Sequence, residues 1–398
     1  MAPGAVTGPV TGHAAIAQPP LAPPPAAPLG SRPAAPPAAA GAPAPAPAGP
    51  SANARSARYA LEAGAPALDV ADADWLAAWP AWLASCRALT ADRHPRHGAW
   101  DGVCTESIFL APSRGDQVRA FFARHMDCYR VLATDAADAA AGPGTAATLR
   151  DTGLMTGYYE PLLEASRVRT GPFTVPIYRA PLAAVTASRR ELAASGQLRG
   201  QELLWVRDPV EAFFLEVQGS GRLHLTDGSW VRVAYAASNG LDYRSIGRWL
   251  ADQGELPLAQ VSQQAISTWA LAHPQRVREL LEQNPRVVFF RELPVGDPLA
   301  GPVGSLGVAL TAGISVAVDP RYIPLGAPLL IDTWAPLGDA ALRRLTLAQD
   351  TGGAIRGPLR IDWFWGLGPD AGEIAGHQHA QGSVHLLVPH GIAPETLL

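Results

Sequence analysis

Ile361-Asp362-Trp363-Phe364-Trp365-Gly366 is a strand-like run that sets one carboxylate among three aromatic rings and an isoleucine. An aspartate in an apolar strand is costly unless it has a role. Poor solvation disfavours its charged form. A carboxylic acid that keeps its proton near neutral pH can donate it to a leaving group. Two more aspartates precede it, in Asp319-Pro320 and Asp350-Thr351-Gly352-Gly353. Such contexts favour turns and side-chain-to-backbone hydrogen bonds. Around all three, segments 303–318, 328–331, 345–348 and 384–388 are β-like and alternate with Gly and Pro turns. Many short strands without intervening helices predict a small barrel or sandwich.

Towards the N-terminus, strands are expected at 173–178, 213–219 and 230–233, punctuated by Gly219-Ser220-Gly221 and Asp227-Gly228. Helices are expected at 245–252, 262–272 and 274–283, followed by a β segment at 287–290. The spacing of Trp75, Trp79, Trp82 and Leu83 predicts a helix over 72–89, interrupted by Pro80. A second helix is expected over 117–132, with Val118, Phe121, Phe122 and Met126 on its apolar side and Asp116 as N-cap. Structure should begin near residue 56. Residues 1–50 hold 15 of the 39 prolines, one charge (Arg32) and no aromatic residue. Such a tract cannot bury enough apolar surface to order itself and reads as a disordered tether.

Composition removes several function classes. The chain has 398 residues, 48% of them hydrophobic, and a net charge of -4, which argues against nucleic acid and anionic membrane surfaces as partners. All 31 basic residues are arginine, so Schiff-base, PLP and lysine-dependent P-loop chemistry is excluded. Cys86, Cys104 and Cys128 fit no zinc ribbon or redox pair; a Cys86–Cys104 or Cys104–Cys128 bridge and buried thiols both remain open. His377, His379, His385 and His390 cluster without a carboxylate or Cys at ligand spacing, so no metal and no cofactor is expected. No apolar run is long enough to span a membrane. Neither a basic segment leading into an apolar one nor an early cysteine for lipid attachment is visible.

Other segments suit a hydroxyl-rich ligand. Tyr158-Tyr159, bounded by Gly157 and Pro161, offers flat faces and hydroxyls for a sugar. Gln218 and Ser220, with Tyr235 and Ser238-Asn239-Gly240 downstream, supply amides and hydroxyls. Asp350-Thr351-Gly352 also matches the aspartic-protease tripeptide, a chemistry that pairs two carboxylates.

Together, Thr156–Pro161, FLEVQGSGRL at 214–223, YAASNGLDYRSIGRW at 235–249, NPRVVFF at 284–290 and the segment 319–376 resemble the membrane-bound lytic murein transglycosylase A family. Within it, 319–376 is similar to the 3D domain. The resemblance covers roughly 56–390. It implies a mainly β, α+β fold: a double-psi β-barrel from 56–160 and 244–398, a smaller β domain inserted at 161–243, and a groove between them. It implies cleavage of the β-1,4 bond between N-acetylmuramic acid and N-acetylglucosamine, leaving a 1,6-anhydro sugar. Asp362 would be the sole general acid/base, with Asp350 and Asp319 in support. Thr156, Tyr158, Tyr159, Gln218 and Ser220 would contact the glycan strand, joined by Tyr235 and Asn239 on the residue reading above. The implied location is the periplasm or the periphery of the outer membrane. A murein-binding module without catalysis is the main alternative.

Overall fold

The computed structural model describes residues 57–62, 69–91, 97–134, 149–294 and 300–398; the tether expected at 1–55 lies outside them. In chain order the strands are β1 (Ala57–Glu62), β2 (Met126–Thr134), β3 (Leu149–Arg150), β4 (Thr152–Glu160), β5 (Leu162–Ser166), β6 (Val175–Tyr178), β7 (Glu202–Val206), β8 (Ser220–Leu225), β9 (Trp230–Ser238), β10 (Val288–Leu293), β11 (Ser315–Val318), β12 (Pro328–Trp334), β13 (Ala341–Thr351), β14 (Ile361–Leu367) and β15 (His379–Pro389). The helices are α1 (Asp72–Leu89), α2 (His97–Ile108), α3 (Gly115–His125), α4 (Arg189–Ser195), α5 (Pro209–Gln218), α6 (Ile246–Asp252), α7 (Gln263–Ala272), α8 (Val277–Leu281) and α9 (Gly368–His377).

Six strands close into a barrel in the order β4, β15, β12, β13, β11, β14, and the β14–β4 pair completes the ring. The β11–β13 and β14–β4 pairs are parallel and the rest antiparallel. This is the α+β, double-psi barrel class that the sequence implies, with a second sheet beside it. β15 is long enough to pair β4 through its first half and β2 through its second, so β2, β1 and β3 extend the barrel sheet outward. Closure removes free edges among the strands that carry the aspartates.

The second sheet, ordered β10-β9-β8-β5-β7-β6, is built entirely between β4 and β11 in sequence. Its edge strand β10 comes from beyond residue 243, because β9 offers a free edge along Arg232–Ser238 to Val288–Leu293. One face of this sheet buries Leu163, Leu223, Val231, Val233 and Phe290. Helices α5 to α8 form their own cluster around Phe213, Phe214, Leu250 and Trp269.

Five sequence expectations are corrected. Residues 213–219 are the end of α5, a helix and not a strand. Asp208 caps it by accepting from the Val210 and Glu211 amides at 2.6 and 3.1 Å, Pro209 fills the first turn, and Gly219 ends it at φ 76°. Those end signals outweigh the β propensity of Phe213-Phe214. The helix expected at 117–132 stops at His125 and the chain continues as β2, whose alternating burial pairs it with β1 and β15. Its start is Arg114 rather than Asp116: the Gln117 side chain accepts from the Ser113 and Arg114 amides, while Asp116 pairs with the Arg114 guanidinium. The C-terminal region does contain a helix, α9, and only Ser315–Val318 of the expected 303–318 segment is a strand.

Helix α1 runs through Pro80. The missing N–H costs about 3 kcal/mol. Burying Trp75, Trp79 and Trp82 against Phe121 and Phe122 offsets that, at roughly 1.5–3 kcal/mol per large apolar side chain. Cys86 and Cys104 form a disulfide joining α1 to α2, and Cys128 is a buried free thiol. Gln349 fixes α1 to β13 by donating to the Ala81 carbonyl at 2.9 Å and to Ser85 Oγ at 2.8 Å. This anchors the strand one residue before Asp350.

Candidate active site

The strand register assembles the site. Asp350, Ala317, Asp362, Thr156 and His379 are successive Cα partners across β13, β11, β14, β4 and β15. Directly paired residues share a face of the sheet. The smallest side chain in the row, Ala317, separates the two carboxylates. Two strand spacings put their backbones roughly 10 Å apart.

Asp362 is half-buried. Thr156 Oγ1 donates to its Oδ1 at 2.5 Å. Burial pushes its carboxyl above the ordinary range. The Thr156 hydroxyl and the Arg360 guanidinium pull it back, and Asp350 adds a further upward push. The net direction is up, which suits a proton donor.

Asp350 is held differently. Its Oδ2 accepts from the Tyr158 hydroxyl at 2.8 Å, and its Oδ1 accepts from the Ser305 amide and hydroxyl at 3.0 Å each. Ser305 Oγ also meets Thr351 Oγ1 at 2.7 Å. The Tyr158 hydroxyl is pushed well above its ordinary value by burial and then by Asp350, so it remains a donor at neutral pH. The Tyr158 ring packs against Phe364 at 5.3 Å between centroids. Beside Phe364 opens a cleft of 560 Å³, lined also by Gly301, Leu310, Thr311 and Trp365.

Asp319 belongs elsewhere in the barrel. It is fully buried; its carboxylate accepts from Arg321 Nε and Nη2 at 2.9 and 2.6 Å and from the Arg321 and Gly357 amides at 3.2 and 2.8 Å. Burial pushes this carboxyl up, but Arg321 and the two amides outweigh burial and hold it below its ordinary value. It braces the turn after β11.

The tyrosine pair is split. Consecutive residues of a strand point to opposite faces. Tyr158 therefore turns to the aspartates. Tyr159 is buried against α9, its hydroxyl bonded to Gln263 and its amide to Gln218 Oε1 at 3.1 Å. Tyr159 is a packing residue and offers no sugar platform. Asn239 is also structural: it is 1% exposed, donates to the Ala187 and Pro285 carbonyls, and accepts from the Leu241 and Val287 amides. Gln218 and Ser220 flank Gly219 where α5 meets β8, and both are partly exposed. Tyr235 is exposed on β9, near Ser238 at 3.4 Å.

Sequence reasoning missed Ser305, Ala317 and Arg360, and considered His379 only as part of a histidine cluster. Arg360 was within reach: it is the charged residue two positions before Asp362, at the entry to β14. Ser305 and Ala317 carry no local signal, because only tertiary pairing brings them to the row. The histidines disperse. His385 meets Glu62 at 3.3 Å, His390 meets Asp127 at 2.7 Å, and His377 bonds a backbone carbonyl. Among the described residues no group of three or more His, Cys, Asp or Glu could hold a metal ion.

Residues 154–190 and 183–291 match the MltA specific insert domain, and residues 314–388 match the 3D domain. Membrane-bound lytic murein transglycosylase A of Escherichia coli K12 is 39% identical over 240 residues, covering 58% of this chain and 64% of that protein. Its counterpart in Vibrio cholerae is 36% identical over 244 residues, covering 58% and 64%. The chain thus spans under two thirds of the length of these curated relatives. Among solved structures, the lytic transglycosylase LtgG of Burkholderia pseudomallei is 42% identical, with 84% of this chain and 96% of that chain covered and a TM-score of 0.58. MltA from Neisseria gonorrhoeae is 33% identical, with 88% and 96% covered and a TM-score of 0.65. Escherichia coli MltA with bound chitohexaose is 29% identical, with 83% and 94% covered and a TM-score of 0.67. By domain content, sequence and structure, the chain belongs to the MltA family of lytic murein transglycosylases.

Proposed function

We propose that this protein is a peptidoglycan lytic transglycosylase in which Asp362 is the sole general acid/base. The observation that carries the reading is a single half-buried carboxyl with raised proton affinity, whose nearest companion carboxylate is fully engaged. Ordinary glycosidases place two working carboxyl groups about 5–9.5 Å apart, the second serving as nucleophile or activating water. Asp350 is unsuited to either task while Tyr158 and Ser305 occupy its oxygens.

One carboxyl suffices if the nucleophile belongs to the substrate. Asp362 gives its proton to the glycosidic oxygen between N-acetylmuramic acid and N-acetylglucosamine, and the C1–O bond breaks. The muramoyl C6 oxygen then bonds to C1, and its proton passes to the Asp362 carboxylate. Protons balance, no water is consumed, and the acid is restored with a 1,6-anhydro sugar as product. An internal nucleophile has a high effective concentration. Tyr158 and Phe364 would border the reacting sugar, with Gln218, Ser220 and Tyr235 along the groove formed with the second sheet. The chitohexaose bound to the Escherichia coli relative supports a glycan ligand here. The relatives' name, membrane-bound, supports a site of action at the periphery of the outer membrane. No helix among the described residues is long and apolar enough to cross a membrane.

Digestion of purified murein sacculi followed by mass spectrometry tests the reaction class. Muropeptides ending in 1,6-anhydro-N-acetylmuramic acid are expected. Reducing ends instead would make the protein a hydrolase, and sacculus binding without products would make it a murein-binding module.

A further inference from the structure

Asp362 has to work twice in the reading above, first as an acid and then as a base. Its carboxylate must therefore survive between two proton transfers in a poorly solvated place. Arg360 stands two residues earlier, immediately before the start of β14. The parallel β14–β4 register pairs Ile361 with Met155 and Asp362 with Thr156. Just before that register begins, Arg360 reaches across to β4, its Nη1 3.5 Å from the Leu154 carbonyl.

The guanidinium is half-buried and tethered by backbone oxygens. Its Nη1 donates to the Ile361 carbonyl at 2.6 Å and reaches the Leu154 carbonyl at 3.5 Å. Other buried arginines of the chain sit directly on carboxylates: Arg222 and Arg232 on Glu160, Arg189 on Glu216. Arg360 is held by carbonyls instead, and the charge that acts on it is that of Asp362. A cation fixed near a carboxylate without a direct ion pair stabilises the anion without itself occupying either oxygen.

We propose that Arg360 is a positioning residue that holds the carboxylate form of Asp362 between the two proton transfers. The proposal rests on Asp362 being the acid/base. The groups around Asp362 are Asp350 on β13, Thr156 and Tyr158 on β4, Arg360 immediately before its own strand, and His379 at the start of β15; Ala317 on β11 carries no charge. Among them Arg360 is the fixed cation. It opposes burial and Asp350, both of which favour the protonated acid.

The pH profile of kcat tests this, measured on soluble glycan strands with anhydro product as the readout. Activity falls at high pH where Asp362 loses the proton it must donate. Removing the cation favours the protonated form, so in Arg360→Gln, which keeps a donor for the carbonyls, that limb should move to higher pH by about 1 unit. Base strength rises while the carboxylate intermediate is less stabilised, so kcat on the plateau should fall with KM nearly unchanged. Arg360→Lys restores charge and should return the limb towards its native position. Arg360→Met serves as a second uncharged variant should the Gln protein not fold. A limb unmoved in a folded uncharged variant, or moved equally by Lys, overturns the proposal. Near-native turnover in Asp362→Asn would instead remove the reading on which it rests, so the two failures are distinguishable.

Discussion

Asp362 and Asp319 are aspartates of one barrel whose surroundings push in opposite directions. Asp362 is pushed up by burial, so the native state holds its proton more tightly than the unfolded chain does. From the unfolded value of about 3.9 up to the raised native value, the native state binds more protons. Stability therefore declines as pH rises through that window, and the loss persists above it. Asp319 is held down by Arg321 and two amides that outweigh its burial. Its contribution is present above the unfolded value and is lost as pH falls through the native one. The same substitution should thus act with opposite signs. At pH 7, Asp362→Asn should raise the melting temperature, because a neutral amide replaces a poorly solvated charge. Asp319→Asn should lower stability by about 2 kcal/mol, the scale of hydrogen bonds to a charged group. Thermal unfolding followed by circular dichroism across pH 3–8 would show this; a parallel change in both variants would contradict it.

At the scale of elements, β4 is where sheet, helix and site meet. Gly157 lies between Thr156 and Tyr158 and faces the other way, against the Trp365 ring and α9. A Cβ there would stand 2.7 Å from Trp365 Cδ1 and 2.9 Å from the Ala375 Cα. Gly157→Ala should therefore cost about 1–3 kcal/mol through overpacking, measured by urea unfolding, and an unchanged midpoint would contradict the packing. The residue type was visible in the sequence, but its reason was not, since Trp365 and Ala375 are more than two hundred residues away. Signals confined to a few residues were legible. Trp75, Trp79 and Trp82 gave α1, and Asp362 among aromatics gave the candidate acid. Where a local signal was read against the wrong competitor the expectation failed: Asp208-Pro209 and Gly219 mark a helix that Phe213-Phe214 disguise as a strand. Asn239 and Tyr159 have the chemistry of ligand contacts, and only their packing turns them into structural clamps.

Across the whole molecule, both chain crossings between the barrel and the second sheet meet at one buried ionic cluster. Glu160, the last residue of β4, is fully buried and ion-pairs with Arg222 and Arg232 at 2.9 Å each. Both arginines also donate to the Ala300 carbonyl, on the returning chain. Breaking such a buried set is costly, about 3–5 kcal/mol, so the cluster fixes how Ser220 of the second sheet, and Gln218 at the end of α5 beside it, stand relative to Asp362. In the proposed reaction, the barrel, the clamp and the row of paired residues serve one end: a lone carboxyl that moves two protons. Asp362→Asn keeps its shape and removes the acid. Turnover of murein sacculi by this variant, measured beside its binding to the same sacculi, is the most direct measurement of that claim. The account predicts turnover reduced by ~10²-fold or more with binding retained. Turnover within a few-fold of the native protein would contradict it.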